Sequence, residues 1–286
     1  MKKGTLKLIL ILGIMIVVGF YSFYKAESSS RTNLEQIVQQ SLKGTRGTYS
    51  VVVKNLKTNE EYSFDAEKTY RAGSLYKLWV MAAVIEQMQS GHINGDESLT
   101  GDIEKLNEKF NIDPELRELT KGTINFTVNS ALTQMITISH NYASFLLSEK
   151  VGLSNVKLFL EKYGLSESKI GQNAPVSTAA DIALFLEKLY KGELASPENT
   201  VKMISLLKAQ KLSDKLPKYL PNGTVVAHKT GELDFLTHDA GIVYTDNGDY
   251  IIVVFSESDY PPGAKERIAQ ISKAVYNYFL EKAEKI

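Results

Sequence analysis

The segment Arg71-Ala-Gly-Ser-Leu-Tyr-Lys-Leu-Trp-Val-Met-Ala-Ala-Val84 is almost wholly apolar after its first four residues. From Leu75 onward almost every residue is apolar or favours a helix, so the segment reads as a helix buried on nearly all sides rather than along one stripe. Ser74 stands where that helix starts, and Lys77 follows one turn later on the same face. A hydroxyl at a helix N-terminus faces unpaired backbone N–H groups and the positive end of the dipole. A lysine held there in a dry setting gives up its proton more readily and can serve as a base. That is a way to activate a serine without a histidine. The spacing alone carries little weight, since Ser-x-x-Lys also starts at Ser22, Ser154, Ser166 and Ser205. The plain alternative for Ser74 is a helix cap.

Outward from this helix, the flanking chain supplies strands. Thr48–Lys54 and Glu60–Phe64 read as a hairpin around the turn Asn55–Asn59. Val225–Thr230, His238–Tyr244 and Tyr250–Ser256 read as three more strands, the last two joined at Asp246-Asn-Gly248. Between the two groups come helices: Val128–Ile138, Tyr142–Val151, Ser154–Tyr163, Thr178–Tyr190 and Pro197–Ala209. Residues 100–123 read as charged and irregular, with a short helix near Pro114. Amphipathic helices at Asn33–Leu42 and Glu266–Ala283 close the two ends. Strands, then helices, then strands predict an α+β fold. Its antiparallel sheet is flanked by the terminal helices, a helical lobe spanning about 74–209 is inserted, and the cleft between them is the natural site.

The chain has 286 residues, with 33 Lys plus Arg against 33 Asp plus Glu. That balance gives no footprint for nucleic acid. There is no cysteine, which excludes disulfides, thiolate catalysis and zinc–cysteine sites. Lys2, Lys3 and Lys7 precede an apolar run over residues 8–24. A positive flank followed by an apolar run is an export signal. Residues 1–7 then form a cytoplasmic n-region, 8–24 a membrane anchor, 25–32 a polar linker and 33–286 an extracytoplasmic domain. A cleaved signal peptide with a secreted domain is the other reading, although Tyr24-Lys25-Ala26 is a poor cleavage site.

Two further motifs occur once each: Ser139-His140-Asn141 at a junction of two helices, and His228-Lys229-Thr230-Gly231 at the end of an apolar strand. With Ser74-x-x-Lys77 they complete the ordered set Ser-x-x-Lys, Ser-x-Asn, Lys-Thr-Gly. Taken singly, Ser139 and Asn141 read as helix caps and Lys229 as a surface lysine. Taken together, and in this order, they resemble the class A β-lactamase and penicillin-binding serine enzyme superfamily over residues 33–286. The resemblance implies an α/β sandwich, with Ser74 as the nucleophile and Lys77 as the group that takes its proton. Ser139 would relay a proton to the leaving nitrogen, and Lys229 would hold Ser139 and attract a substrate carboxylate. Thr230 would bind that carboxylate, Asn141 the amide side chain, and the N–H groups of Ser74 and Glu232 the oxyanion. Gly231 would let the strand come close to substrate. No cofactor and no metal are implied. The expected substrate is a β-lactam or a cell-wall peptide, and the expected state a monomer.

The resemblance has two departures. Class A enzymes place a water-activating glutamate in a Glu-x-x-Leu-Asn setting between the second and third motifs. Here the corresponding stretch, Tyr163 to Thr178, is short, lacks that pattern and has Glu167 as its only carboxylate. Glu167 reads as a solvated residue. His140 stands where the family usually has an acidic residue, a position that bears on packing. His238 and Asp239 are divided between substrate contact and strand packing, and His140, His228 and His238 lack metal-ligand spacing. Acylation is expected, and fast deacylation is not.

Overall fold

The computed structural model describes residues 34–171 and 173–283. The anchor expected at 8–24 and the linker at 25–32 lie outside them. Among the described residues no helix is long and apolar enough to cross a membrane. In chain order the elements are α1 (residues 34–42), β1 (Thr48–Asn55), β2 (Glu61–Phe64), β3 (Tyr70–Arg71), α2 (Lys77–Gln89), β4 (Ser98–Asp102), α3 (Ile103–Lys109), β5 (Thr123–Thr127), α4 (Val128–Thr137), α5 (Asn141–Val151), α6 (Leu153–Lys162), β6 (Val176–Ser177), α7 (Ala179–Tyr190), α8 (Pro197–Lys208), β7 (Val225–Leu233), β8 (Leu236–Tyr244), β9 (Tyr250–Glu257) and α9 (Pro261–Ala283). The fold is α+β, as the order of elements predicts.

The main sheet runs β2-β1-β9-β8-β7 with every neighbouring pair antiparallel. Its apolar runs are continuous because both faces are covered. Side chains alternate across a strand. Val51, Val53, Ile252 and Val254 point to one face, where they pack with Leu34 and Val38 of α1 and with Ile268, Ile271 and Val275 of α9. Val52, Ile251, Val253 and Phe255 point to the other face and join the helical core. At the centre of that core lies α2, buried from Lys77 through Ile85, which accounts for the absence of a polar stripe in its sequence.

The region read as irregular is more ordered than its charge suggests. β4 and β5 pair from Ser98↔Thr127 to Asp102↔Thr123. Between them, α3 is capped by the Asp102 carboxylate, which accepts from Lys105 N–H at 3.0 Å, and buries Ile103, Leu106 and Asn107. Four charged residues in a helix this short dilute the apolar face and hide the period. The short helix near Pro114 is a 3-10 turn, Pro114–Leu116. α9 begins at Pro261, five residues before its expected start, with proline in the first turn, where a missing N–H costs nothing.

Candidate active site

Ser74 sits in a 3-10 turn, Gly73–Tyr76, and the α-helix proper starts at Lys77. It caps neither the turn nor the helix, so the capping alternative does not hold. Three contacts fix the chain just upstream. β3 pairs with β6, Ala72 N–H donates to Pro175 O at 2.8 Å, and His238 Nε2 donates to Arg71 O at 2.9 Å. Gly73 has φ +50°, and a Cβ there would lie 3.1 Å from Glu232 N. The turn bearing Ser74 therefore lies directly against the backbone N–H expected to serve as the second oxyanion donor. At Gly231 an added Cβ would come within 2.9 Å of Ala72 O and 3.0 Å of Leu75 Cγ. The glycine is required by the approach of the Ser74 turn itself, a reason the sequence did not disclose.

Lys77 is fully buried on α2. Its Nζ donates to Ser139 O at 2.5 Å, to Asn141 Oδ1 at 2.7 Å and to Ser139 Oγ at 3.2 Å. Ser74 Oγ is not among these partners. Burial, and then the charge of Lys229, drive the Lys77 pKa well below the ordinary lysine value, while Glu118 opposes them. Ser139 links α4 to α5 with φ +61°, a left-handed conformation uncommon outside glycine. It is not the cap of α5. That place belongs to His140, whose Nδ1 accepts from Ala143 N–H at 3.4 Å. Burial lowers the pKa of His140, which suits an uncharged ring nitrogen acting as acceptor. Asn141 opens α5 and presents its oxygen to Lys77 and its amide nitrogen to Glu118 Oε1 at 2.9 Å.

β7 faces the Ser74 turn and Ser139 from the sheet. Lys229, fully buried rather than a surface lysine, donates to Ser139 Oγ at 2.9 Å and to Thr230 O at 2.8 Å. Burial pushes its pKa down to about 7, assisted by Lys215 and resisted by Asp239 and Glu232. Thr230 is 2 % exposed and faces Asp239 of β8 in the register. The Glu232 carboxylate, beyond its backbone N–H, bonds Lys215 at 2.5 Å and Lys265 at 2.8 Å, and both lysines also meet Asp214. Burial alone would raise the Glu232 pKa, but the two lysines outweigh it and hold it low.

Ser139 is thus the meeting point of Lys77 and Lys229, with Asn141 bound to Lys77 and the Ser74 turn lying against Gly231–Glu232. His238 and Asp239 resolve to packing. Ser256 N–H donates to His238 Nδ1 at 3.1 Å, so Nε2 carries the hydrogen, and the ring stacks on Phe255 at 4.4 Å. Asp239 accepts from Leu216 N–H at 3.0 Å and pairs with His228 Nδ1 at 2.9 Å. Glu167 is exposed, and its backbone N–H donates to Asp181. Among the described residues no cluster could hold a metal ion. Glu118 and Lys215 escaped the sequence reading because they belong to no motif. Nothing short of folding shows that either reaches the cleft.

The family model described as "Beta-lactamase enzyme family" matches residues 33–279. β-Lactamase VEB-1 of Pseudomonas aeruginosa is 23 % identical over 295 residues, spanning 94 % of this chain and 98 % of its own. The extended-spectrum β-lactamase PER-1 of the same organism is 22 % identical over 292 residues, spanning 94 % of both. Among solved structures, the acyl-enzyme complex of a PBP-A mutant with penicillin G superposes with a TM-score of 0.77 at 24 % identity, covering 87 % of this chain and 97 % of that one. The fold is the one these proteins share, and the match of the family model spans nearly all of the described chain. The chain belongs to the β-lactamase enzyme family, whose members are serine hydrolases acting on cyclic amides.

Proposed function

We propose that this protein forms an acyl-enzyme through Ser74 with β-lactams or related D-Ala-D-Ala-type amides and releases it slowly. The observation that carries the reading is the pair of buried lysines that converge on Ser139 Oγ, one from α2 and one from β7. In the forward step, neutral Lys77 takes the Ser74 proton as Oγ attacks the carbonyl carbon. The N–H groups of Ser74 and Glu232 hold the oxyanion. Collapse of the tetrahedral intermediate breaks the C–N bond, and Ser139 hands a proton to the departing nitrogen while receiving one from Lys77. Lys229, when charged, draws the substrate carboxylate towards Thr230. Asn141 receives the amide side chain once its contacts with Lys77 and Glu118 are rearranged.

Slow release follows from the loop at 163–178. Its one carboxylate, Glu167, faces solvent, with its backbone tied to α7. The loop lacks the Glu-x-x-Leu-Asn setting of a water-activating carboxylate. This favours a penicillin-binding, D,D-peptidase-like enzyme of the cell wall over a rapid antibiotic hydrolase, and the PBP-A mutant's acyl-enzyme with penicillin G is consistent with that reading. A receptor that is acylated once and never turns over shares the same first step. Residues 8–24 would tether the domain on the outer face of the membrane.

The test is the partition of benzylpenicillin between bound and released forms. Adduct that accumulates to one per chain while product lags by hours supports slow release. Product released in many equivalents within minutes, with no adduct accumulating, would make the protein an efficient β-lactamase and overturn that part of the reading.

A further inference from the structure

Asn141 has two hydrogen-bonding ends, and both are engaged. Its oxygen accepts from Lys77 at 2.7 Å and its nitrogen donates to Glu118 at 2.9 Å. The amide is therefore oriented, with a carboxylate at its outer end. Glu118 belongs to the segment between α3 and β5 and is exposed to solvent, but the backbone beside it is built into the core. Leu119 N–H donates to the Tyr142 hydroxyl at 3.1 Å. Leu119 O accepts from Asn107 Nδ2 at 2.9 Å and lies 2.7 Å from the same hydroxyl. Tyr142 and Asn107 are each only 1 % exposed. Two buried side chains thus hold both backbone polar groups of Leu119, the residue after Glu118, and Tyr142 is the neighbour of Asn141 in α5. The backbone beside Glu118 is held, and from there its carboxylate reaches Asn141 Nδ2 at 2.9 Å.

We propose that Glu118 is a specificity-determining residue that makes the cleft prefer substrates carrying an amino cation on the acyl side chain. The inference rests on the acyl-enzyme reading above, in which Asn141 receives the side-chain amide. A substituent next to that amide carbonyl emerges beside Asn141 Nδ2, which is within hydrogen-bonding distance of Glu118 Oε1. An ammonium group there gives the carboxylate a charged donor and frees the Asn141 amide for the substrate. A neutral substituent must displace Asn141 from Glu118 and offers the carboxylate nothing in exchange. An anionic substituent adds repulsion.

Ampicillin and benzylpenicillin differ by one side-chain amino group and serve as the pair of probes. Acylation rates of the full chain are measured for each by intact mass, at slightly acid pH where that amino group is charged. The expected result is a preference for ampicillin that Glu118→Gln reduces by about fivefold, the upper range for an exposed charge pair. Glu118→Asp keeps part of the preference, and added salt weakens it only where a carboxylate is present. A rate ratio unchanged by Glu118→Gln overturns the proposal. A ratio unchanged while the adduct's lifetime alters also overturns it, and assigns Glu118 to the release step instead. Failure of both penicillins to label the wild-type chain would sink the acyl-enzyme reading, and this inference with it.

Discussion

Lys229 of β7 donates to Ser139 Oγ at 2.9 Å, joining residues 90 positions apart. The bond ties the edge strand of the sheet to the α4–α5 junction and leaves a lysine ammonium buried beside a hydroxyl. Burial brings the Lys229 pKa down to about 7. In the free enzyme the lysine therefore loses its charge as pH rises through neutrality, and with it the attraction for an anionic substrate. Lys77 must be neutral to act as base, and its pKa is also depressed. Acylation efficiency should therefore fall on the alkaline side near pH 7, as Lys229 loses its charge. Lys229→Arg keeps its charge throughout, so its alkaline limb should move out of the neutral range. A limb that stays in place in the variant would assign the titration to another group.

Lys77 makes a separate prediction. Lys77→Ala removes the proposed base and the donor to Ser139 and Asn141 together. Acylation by benzylpenicillin should drop by at least ~100-fold, the usual size of a general-base loss. Near-ultraviolet circular dichroism of the variant shows whether the core around α2 survives the cavity. Near-normal labelling of a folded variant would mean that Lys77 does not take the Ser74 proton.

His238 bears on stability. Burial lowers its pKa to about 4, below the value of about 6.5 for an unfolded chain. Between those limits the unfolded state binds the extra proton, so this contribution to stability is present above pH 6.5 and lost as pH falls towards 4. The difference amounts to about 3 kcal/mol over the window. Carboxylates titrate in the same range, so the comparison is between wild type and His238→Gln, measured by urea denaturation across pH. The variant should show a shallower loss of stability on acidification. Equal slopes in the two proteins would mean that His238 is not held neutral.

Several parts of the molecule were legible because local pattern and tertiary role agree. Alternating and continuous apolar runs marked the five strands of the sheet, and the unbroken apolar face of α2 announced a central helix. The three motifs were readable as a set because their order along the chain is distinctive; two of them sit at junctions between elements, and the third lies inside β7. The β4–α3–β5 segment was not legible. Its order comes from pairing with itself and from a few buried residues among many charges. Gly231 has a further reason that no local pattern shows, since an added side chain there would meet the turn bearing Ser74. The roles of His238 and Asp239 depend on partners in β3, β9 and the 214–216 segment, which no local pattern reveals.

In the proposed reaction Ser74 Oγ forms the covalent bond to substrate. The most direct measurement is peptide mapping by mass spectrometry after brief exposure to benzylpenicillin, in the wild-type chain and in Ser74→Ala. The account predicts one added penicilloyl mass, confined to the peptide containing Ser74 and absent from the variant. An unlabelled wild-type chain, or a label that persists in Ser74→Ala, would contradict it.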